Sequence, residues 1–362
     1  MERVLLKPGK ARLTALMLGL AVLTLVMAFL PAVCLPVALV MPLLACPLFG
    51  QERGTWIACL SAVAPCACSM LNGYDALYSL SLASVGVLTL AATARVNAKR
   101  MPVRAAIAQF VFAYAAALLM ALLAASRALG GNISTGLADA AETWVLSGDQ
   151  PGLTLYRLAT YGLVGVPDSY QNASLMAFVF DSSLIRQMTL SLRLTVTQYA
   201  RAFLPSLFMQ AVLIGGLFCA LRVTRINGSL LVVKQLGLKT SDRVTLVEEP
   251  PGFGALDLAG RERWTLMFMG LAGLMLLSGG SLAQTLGLLF YAAFQTVYQL
   301  LGAAALVGAL TMRRPEHKAL IGVGAAIVYA VAPVALLMAG IMDSFLHIRT
   351  RRKPNEEEHK EE

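Results

Sequence analysis

Phe294-Gln295-Thr296-Val297-Tyr298-Gln299-Leu300-Leu301-Gly302 lies inside an apolar run from Leu286 to Met312, and a second run closes on Gly340-Ile341-Met342-Asp343-Ser344-Phe345-Leu346-His347-Ile348-Arg349. Runs near the ~20 residues that cross a bilayer core read as transmembrane helices. Lipid cannot satisfy backbone N–H and C=O groups, so only helices and closed barrels span a membrane. These runs are continuous rather than alternating, which selects helices. Within Trp264 to Lys353, a chain otherwise built of Leu, Ala and Val places particular polar residues at membrane depth or at its edge.

Composition extends the reading to the whole chain. Of 362 residues, 58% are hydrophobic and only 14% charged, where a soluble domain carries about a quarter charged residues. Lys and Arg collect at the ends of apolar segments. That is the topogenic pattern of a membrane protein, and it accounts for the net charge of +9 without nucleic acid as a partner. Six cysteines, Cys34, Cys46, Cys59, Cys66, Cys68 and Cys219, all sit in apolar segments. They read as small helix-packing residues rather than as disulfide staples or metal ligands.

Working outward, nine apolar segments emerge: Leu13 to Leu30, 32–49, Thr55 to Leu71, Ala76 to Ala94, Ala105 to Ser126, Phe203 to Leu221, Leu266 to Gly280, Leu286 to Met312 and Ala319 to Ile341. The basic start, Met1 to Arg12, reads as the flank of a retained hairpin, because the apolar run after it outlasts any signal-peptide core. Pro36, Pro42 and Pro47 make the second segment short, kinked or re-entrant. Gln51-Glu52-Arg53-Gly54 reads as a polar turn carrying an edge charge, Arg53.

The expected fold is therefore all-α, a polytopic transmembrane bundle of eight to nine hydrophobic segments in one domain, 1–348. An extramembrane, amphipathic insertion is expected at 127–200, a polar loop at 222–263 and a disordered charged tail at 349–362. In the insertion, Ile185, Met188, Leu192, Val196 and Tyr199 recur at helical spacing with Arg186 and Arg193 on another face. Alternation from Leu190 to Val196 also fits a strand, but no Gly or Pro interrupts Ser183 to Leu204, which favours an amphipathic helix leading into the membrane.

Nine crossings from a cytoplasmic N-terminus satisfy every basic loop yet leave Arg349, Arg351, Arg352 and Lys353 outside. Eight crossings, with one of the broken segments failing to cross, bring the tail inside but displace at least one other basic loop. The reading adopted has eight, both ends cytoplasmic, in the inner (cytoplasmic) membrane.

Tyr291, Gln295, Tyr298, Gln299 and Gly302 share one helical face. Two readings stand. The stripe lines a cavity for a small polar molecule, or its glutamines bond to a neighbouring helix while Gly302 allows close approach. Gln210 and Gln109, at mid-span, share the ambiguity. Asp343 and His347, four residues apart near Arg349, read as edge charges that fix a helix end, the alternative being a proton relay or a cation clamp. No P-loop, HExxH or GxSxG occurs, and the three histidines lie at edges or in the tail. Catalytic residues, metal sites and cofactors are therefore not expected, and the chain is not read as an enzyme.

The proline-bearing second segment from Pro36 to Pro47 with Arg53-Gly54 after it, the Gln299-Leu300-Leu301-Gly302 element and Gly340-Ile341-Met342-Asp343 with Phe345 and Arg349 together resemble the YybS-like family of bacterial polytopic membrane proteins. That family is grouped with the substrate-binding subunits of energy-coupling-factor vitamin transporters. The resemblance implies a membrane core that binds a small metabolite and an external ATPase, or energy-coupling, module that drives uptake. The chain departs from the six-helix subunits in having more segments and long middle loops. The competing reading is a membrane scaffold for envelope or signalling proteins, working through 127–198 and 222–263.

Overall fold

Each of the nine apolar segments is helical in the computed structural model of the chain, which describes residues 4–5, 10–30, 33–49, 52–99, 101–170, 175–235, 244–245, 253–256, 262–278 and 280–346. In chain order the helices are α1 (Lys10–Phe29), α2 (Cys34–Ala45), α3 (Glu52–Leu71), α4 (Ala76–Lys99), α5 (Val103–Ala128), α6 (Ile133–Leu146) and α7 (Pro151–Thr160). There follow α8 (Leu175–Phe180), α9 (Ser182–Gln235), α10 (Glu262–Leu277), α11 (Ser281–Arg313), α12 (Lys318–Val331) and α13 (Pro333–Leu346). The only strand pairing among the described residues is a two-residue antiparallel bridge, β1 (Val4–Leu5) with β2 (Val244–Thr245). Among the described residues, five helices are long and apolar enough to cross a membrane, or six if the bent pair α12 and α13 counts as one span. The chain is a multi-pass helical membrane protein.

It divides into two compact units. The first comprises Met1–Leu118 and Phe208–Glu362, the second Leu119–Leu207.

In the first unit, small residues let helices approach closely, as they must where lipid supplies no hydrophobic drive between helices. A Cβ on Gly86 of α4 would meet the Ala62 backbone of α3. The buried hydroxyls of that pair are satisfied locally: Thr89 Oγ1 donates to the Val85 carbonyl at 2.7 Å, Thr93 Oγ1 to the Thr89 carbonyl at 2.8 Å, and Ser79 bonds Ser69 at 3.0 Å. Around them a core forms from α1 to α5 together with Val212, Cys219, Ala220 and Val223 of α9. Tyr114, fully buried, donates to the Leu39 carbonyl at 3.0 Å and lies 3.4 Å from Cys219 Sγ. Four cysteines, Cys34, Cys46, Cys68 and Cys219, are buried as free thiols.

The second unit has its own core of Val145, Leu155, Phe178, Leu184, Met188 and Leu192. Gly130 and Gly131, at φ 79° and 103°, make the turn into α6, whose first residues are capped by Asn132 accepting from the Ser134 N–H at 3.0 Å. The amphipathic segment is helical, with Met188 and Leu192 inward and Arg186 and Arg193 outward. Its register continues unbroken as α9 through Pro205 into the sixth apolar segment.

Asp181 precedes α9 and accepts from the Ser183 N–H at 2.9 Å, the Leu184 N–H at 3.2 Å, Ser183 Oγ at 2.6 Å and Tyr170 Oη at 2.9 Å. Those donors lower its carboxyl pKa to about 2, the Ser183 hydroxyl contributing most. A depressed carboxylate pKa stabilises the fold above the unfolded value, near 4, and that contribution disappears as pH falls toward 2. An NMR titration of the Asp181 carboxyl carbon is expected to show a midpoint near 2, rising toward 4 in Tyr170→Phe/Ser183→Ala.

Three boundaries differ from the sequence reading. Glu52 and Arg53 belong to the first turn of α3 rather than to a turn: no proline separates them from Thr55, and Gly54 is carried within the helix. The loop expected from 222 begins as helix, α9 running to Gln235, since Arg222 to Gln235 contains no proline; 236–243, 246–252 and 257–261 lie outside the described residues. The last segment is broken. Pro333 has no N–H to donate and disfavours helical backbone at the residue before it, and Ala332 leaves the helix at φ −132°, ψ 58°. The axes of α12 and α13 turn by 110° there.

Candidate functional site

The glutamine stripe is built on α11, whose 33 residues contain no proline. Its partner is α13. Gly302 faces Leu336 and Gly340, and Gly340 faces Tyr298 and Gly302, so the two helices cross antiparallel with backbone against backbone. A Cβ on Gly302 would fall into the Leu336 carbonyl oxygen, and one on Gly340 into the Tyr298 carbonyl oxygen. Phe294, Tyr298 and Leu301 form a small core there with Val297, Leu337 and Ile341 packed against it. The Phe294 and Tyr298 rings lie 4.6 Å apart, and the Tyr298 hydroxyl reaches α10, 2.6 Å from Thr265 Oγ1.

The stripe therefore divides. Tyr298 is 0% and Gln299 1% exposed, whereas Tyr291 is 44% exposed and Gln295 half-buried. Gln210 is half-buried on α9, whose neighbouring residues Phe208, Ala211 and Val212 belong to the core of α1 to α5 rather than to that of α11. Asp343 is half-buried near the end of α13, three residues beyond Gly340. Arg349 and His347 lie outside the described residues, as does the side chain of Arg53.

Gln299 stands out chemically. Its Oε1 is buried with no hydrogen-bond partner, and among the described residues the one other buried side-chain atom in that position is the Tyr329 hydroxyl on α12. Both belong to the helices around the broken last segment. A lone buried acceptor in an apolar surrounding costs about 1–3 kcal/mol, so a donor brought there is favoured. Sequence reasoning picked out Gln299 but missed Tyr329, Thr265 and Pro333. A tyrosine and a proline inside the otherwise aliphatic run Ala319 to Ile341 were the available signals.

None of the five proposed binding residues lines either of two hollows in the surface. One, of about 510 Å³, lies among α1, α2 and α9, where Arg222 donates to the Leu43 carbonyl at 2.9 Å. The other, of about 490 Å³, belongs to the second unit. No group of three or more His, Cys, Asp or Glu suited to a metal ion occurs among the described residues. No protein-family model matches the chain, and neither a curated protein nor a solved structure is found to be similar to it.

Proposed function

We propose that the chain is a small-molecule transporter, or the substrate-binding subunit of one, with its ligand site where α11 meets the broken segment α12 and α13. The observation that carries this reading is the pair of orphaned buried polar atoms, Gln299 Oε1 on α11, which packs against α13, and Tyr329 Oη on α12, three residues before Ala332 at the break. Transporters use discontinuous helices because an interrupted helix exposes backbone polar groups at membrane depth, where they hold a substrate. The site would favour a small polar molecule with N–H or O–H donors for Gln299, and Gln295, Tyr291 and Tyr298 extend the polar face toward the helix start. The resemblance to the YybS-like family points the same way and implies an ATPase module as partner.

The break also accounts for the charge pattern. The 110° turn keeps α12 and α13, 14 residues each, from forming one straight span. With the shorter helices α1, α2 and α10 counted as crossings beside the five long ones, a re-entrant last segment gives eight and would put every basic loop and the basic tail on the cytoplasmic side. Cysteines introduced as Glu316→Cys and Glu356→Cys, in a background lacking Cys59 and Cys66, are expected to react with an impermeant maleimide from the same face. Labelling from opposite faces would mean that the last segment crosses.

The function is tested on purified protein in nanodiscs, by thermal stabilisation against vitamins, nucleobases, amino acids and polyamines. A ligand at 100 times its Kd stabilises by about 2.7 kcal/mol. One metabolite class is expected to raise Tm, and Gln295→Leu to reduce that shift at least tenfold in apparent Kd. A flat response across the library refutes the carrier and leaves the scaffold reading, which the separate core of the second unit favours.

A further inference from the structure

The second unit carries an open groove of about 490 Å³ whose fourteen lining residues include only three with a polar side-chain atom, Trp144, Thr195 and Tyr199. That volume lies within the ~300–1,000 Å³ of ordinary ligand sites. Water gains little there, since an ordered water needs two to four polar partners. From the groove alone, any apolar occupant would fit.

Its setting narrows the choice to one. One wall is α9 from Leu192 to Leu207, about 22 Å of helix at 1.5 Å per residue. The same helix continues without a break, still apolar, to Leu221, so the wall is the direct extension of a membrane-spanning stretch. The groove is longer than the depth of one leaflet's hydrocarbon, about 15 Å or half the bilayer core. Its rim carries exposed amphipathic rings, Trp144 and Tyr199, the residue types that settle at the level of lipid headgroups. Arg193, next in sequence to the lining residue Leu192, is exposed on α9 and paired at 2.7 Å with Asp139 of α6. An apolar trough along a helix able to cross a membrane, with exposed aromatic rings and one guanidinium group beside it, matches a bilayer lipid with an acyl chain and a phosphate headgroup.

We infer that this groove binds one acyl chain of a phospholipid from the surrounding bilayer, its phosphate held near Arg193. The inference concerns the second unit alone and is independent of the carrier reading of α11 to α13.

Trp144 reports on occupancy. In full-length protein with Trp56→Phe and Trp264→Phe, held in detergent, titration with phosphatidylglycerol brominated in its acyl chains is expected to quench Trp144 at least twofold and to saturate near one equivalent. Unbrominated phosphatidylglycerol should restore the emission. Filling the trough from either wall, with Ala141→Phe or Ala200→Phe, should abolish saturable quenching, while Leu194→Phe, which adds bulk on α9 outside the groove, should leave it intact. Arg193→Gln should raise the half-saturating concentration severalfold. Quenching that rises linearly without saturating, or survives both filling variants, would overturn the proposal. If both filling variants fail to fold, the competition decides alone: emission that unbrominated phosphatidylglycerol does not restore also overturns it.

Discussion

Gly302→Val is expected to cost the protein most of its stability, and Gly340→Val to do the same, because each Cβ must displace backbone rather than a side chain. The Leu336 and Tyr298 carbonyl oxygens occupy the places those atoms would take, and both belong to helical hydrogen-bonded backbone. A clash with a flexible side-chain end relaxes cheaply, whereas one with helix backbone forces the axes apart. Separating α11 from α13 also opens the Tyr298 core and its link to Thr265. Overpacking costs about 1–3 kcal/mol where only side chains adjust, and the loss here should lie at or above the upper figure. The control is internal. Gly270, Gly273, Gly322 and Gly324 have nothing within 4 Å of a built Cβ, so Gly322→Ala should leave stability unchanged or raise it by about 0.5–1 kcal/mol through helix propensity. Thermal melts of Gly302→Val and Gly322→Ala in detergent check the contrast, and similar melts for the two would remove the crossing described for α11 and α13.

Gln299→Leu should separate stability from function. Leucine fills a similar space and leaves no acceptor without a partner, so the variant should be more stable than wild type by about 1 kcal/mol or more. A ligand that bonds Gln299 should at the same time lose it as a partner, and its stabilising effect should vanish. A more stable and ligand-blind variant is the expected signature of a binding residue kept at a cost to the fold. Lower stability in Gln299→Leu would show that the amide is already satisfied and would remove it from the site. Higher stability with ligand response intact would make Gln299 a packing residue and move the site elsewhere.

The spans were legible in the sequence because lipid leaves the backbone one choice. Every apolar run became helix, whatever its local propensity. The prolines were less transparent. Pro42, Pro65 and Pro205 lie inside continuous helices, whereas Pro333 begins a new helix after a 110° turn. All four remove the same N–H, and what differs is whether neighbouring helices hold the axis straight, which depends on tertiary contacts. Gly302 was readable as a point of close approach, but its partner was not, since nothing in the run from Ala319 says that Gly340 rather than Gly322 or Gly324 will meet it. The stripe from Tyr291 to Gln299 was readable as one face. How deeply each member is covered depends on the length of α13 and the angle at which it crosses. The groove of the second unit was hidden for a related reason: Leu192, Val196, Tyr199 and Phe203 predict an apolar face, and only the placement of α6 leaves part of it open.

The chain order of the two units bears on how the protein is made. The second unit is contiguous, and among the described residues its core runs from Val145 to Val196, so it can close as soon as it is synthesised. The first unit is not. Tyr114 and Phe110 are buried in a core completed by Val212, Cys219, Ala220 and Val223, about a hundred residues later. At synthesis rates of roughly 5–20 residues per second, that wall arrives roughly 5–20 s after Leu118. During that interval the Tyr114 hydroxyl has the Leu39 carbonyl but not Cys219, and Val111 and Tyr114 of α5 lack the cover of Gly215 and Gly216. The second unit thus matures while the first is still waiting for its wall, so a translational pause before Val212 would prolong an unfinished first core without delaying the second.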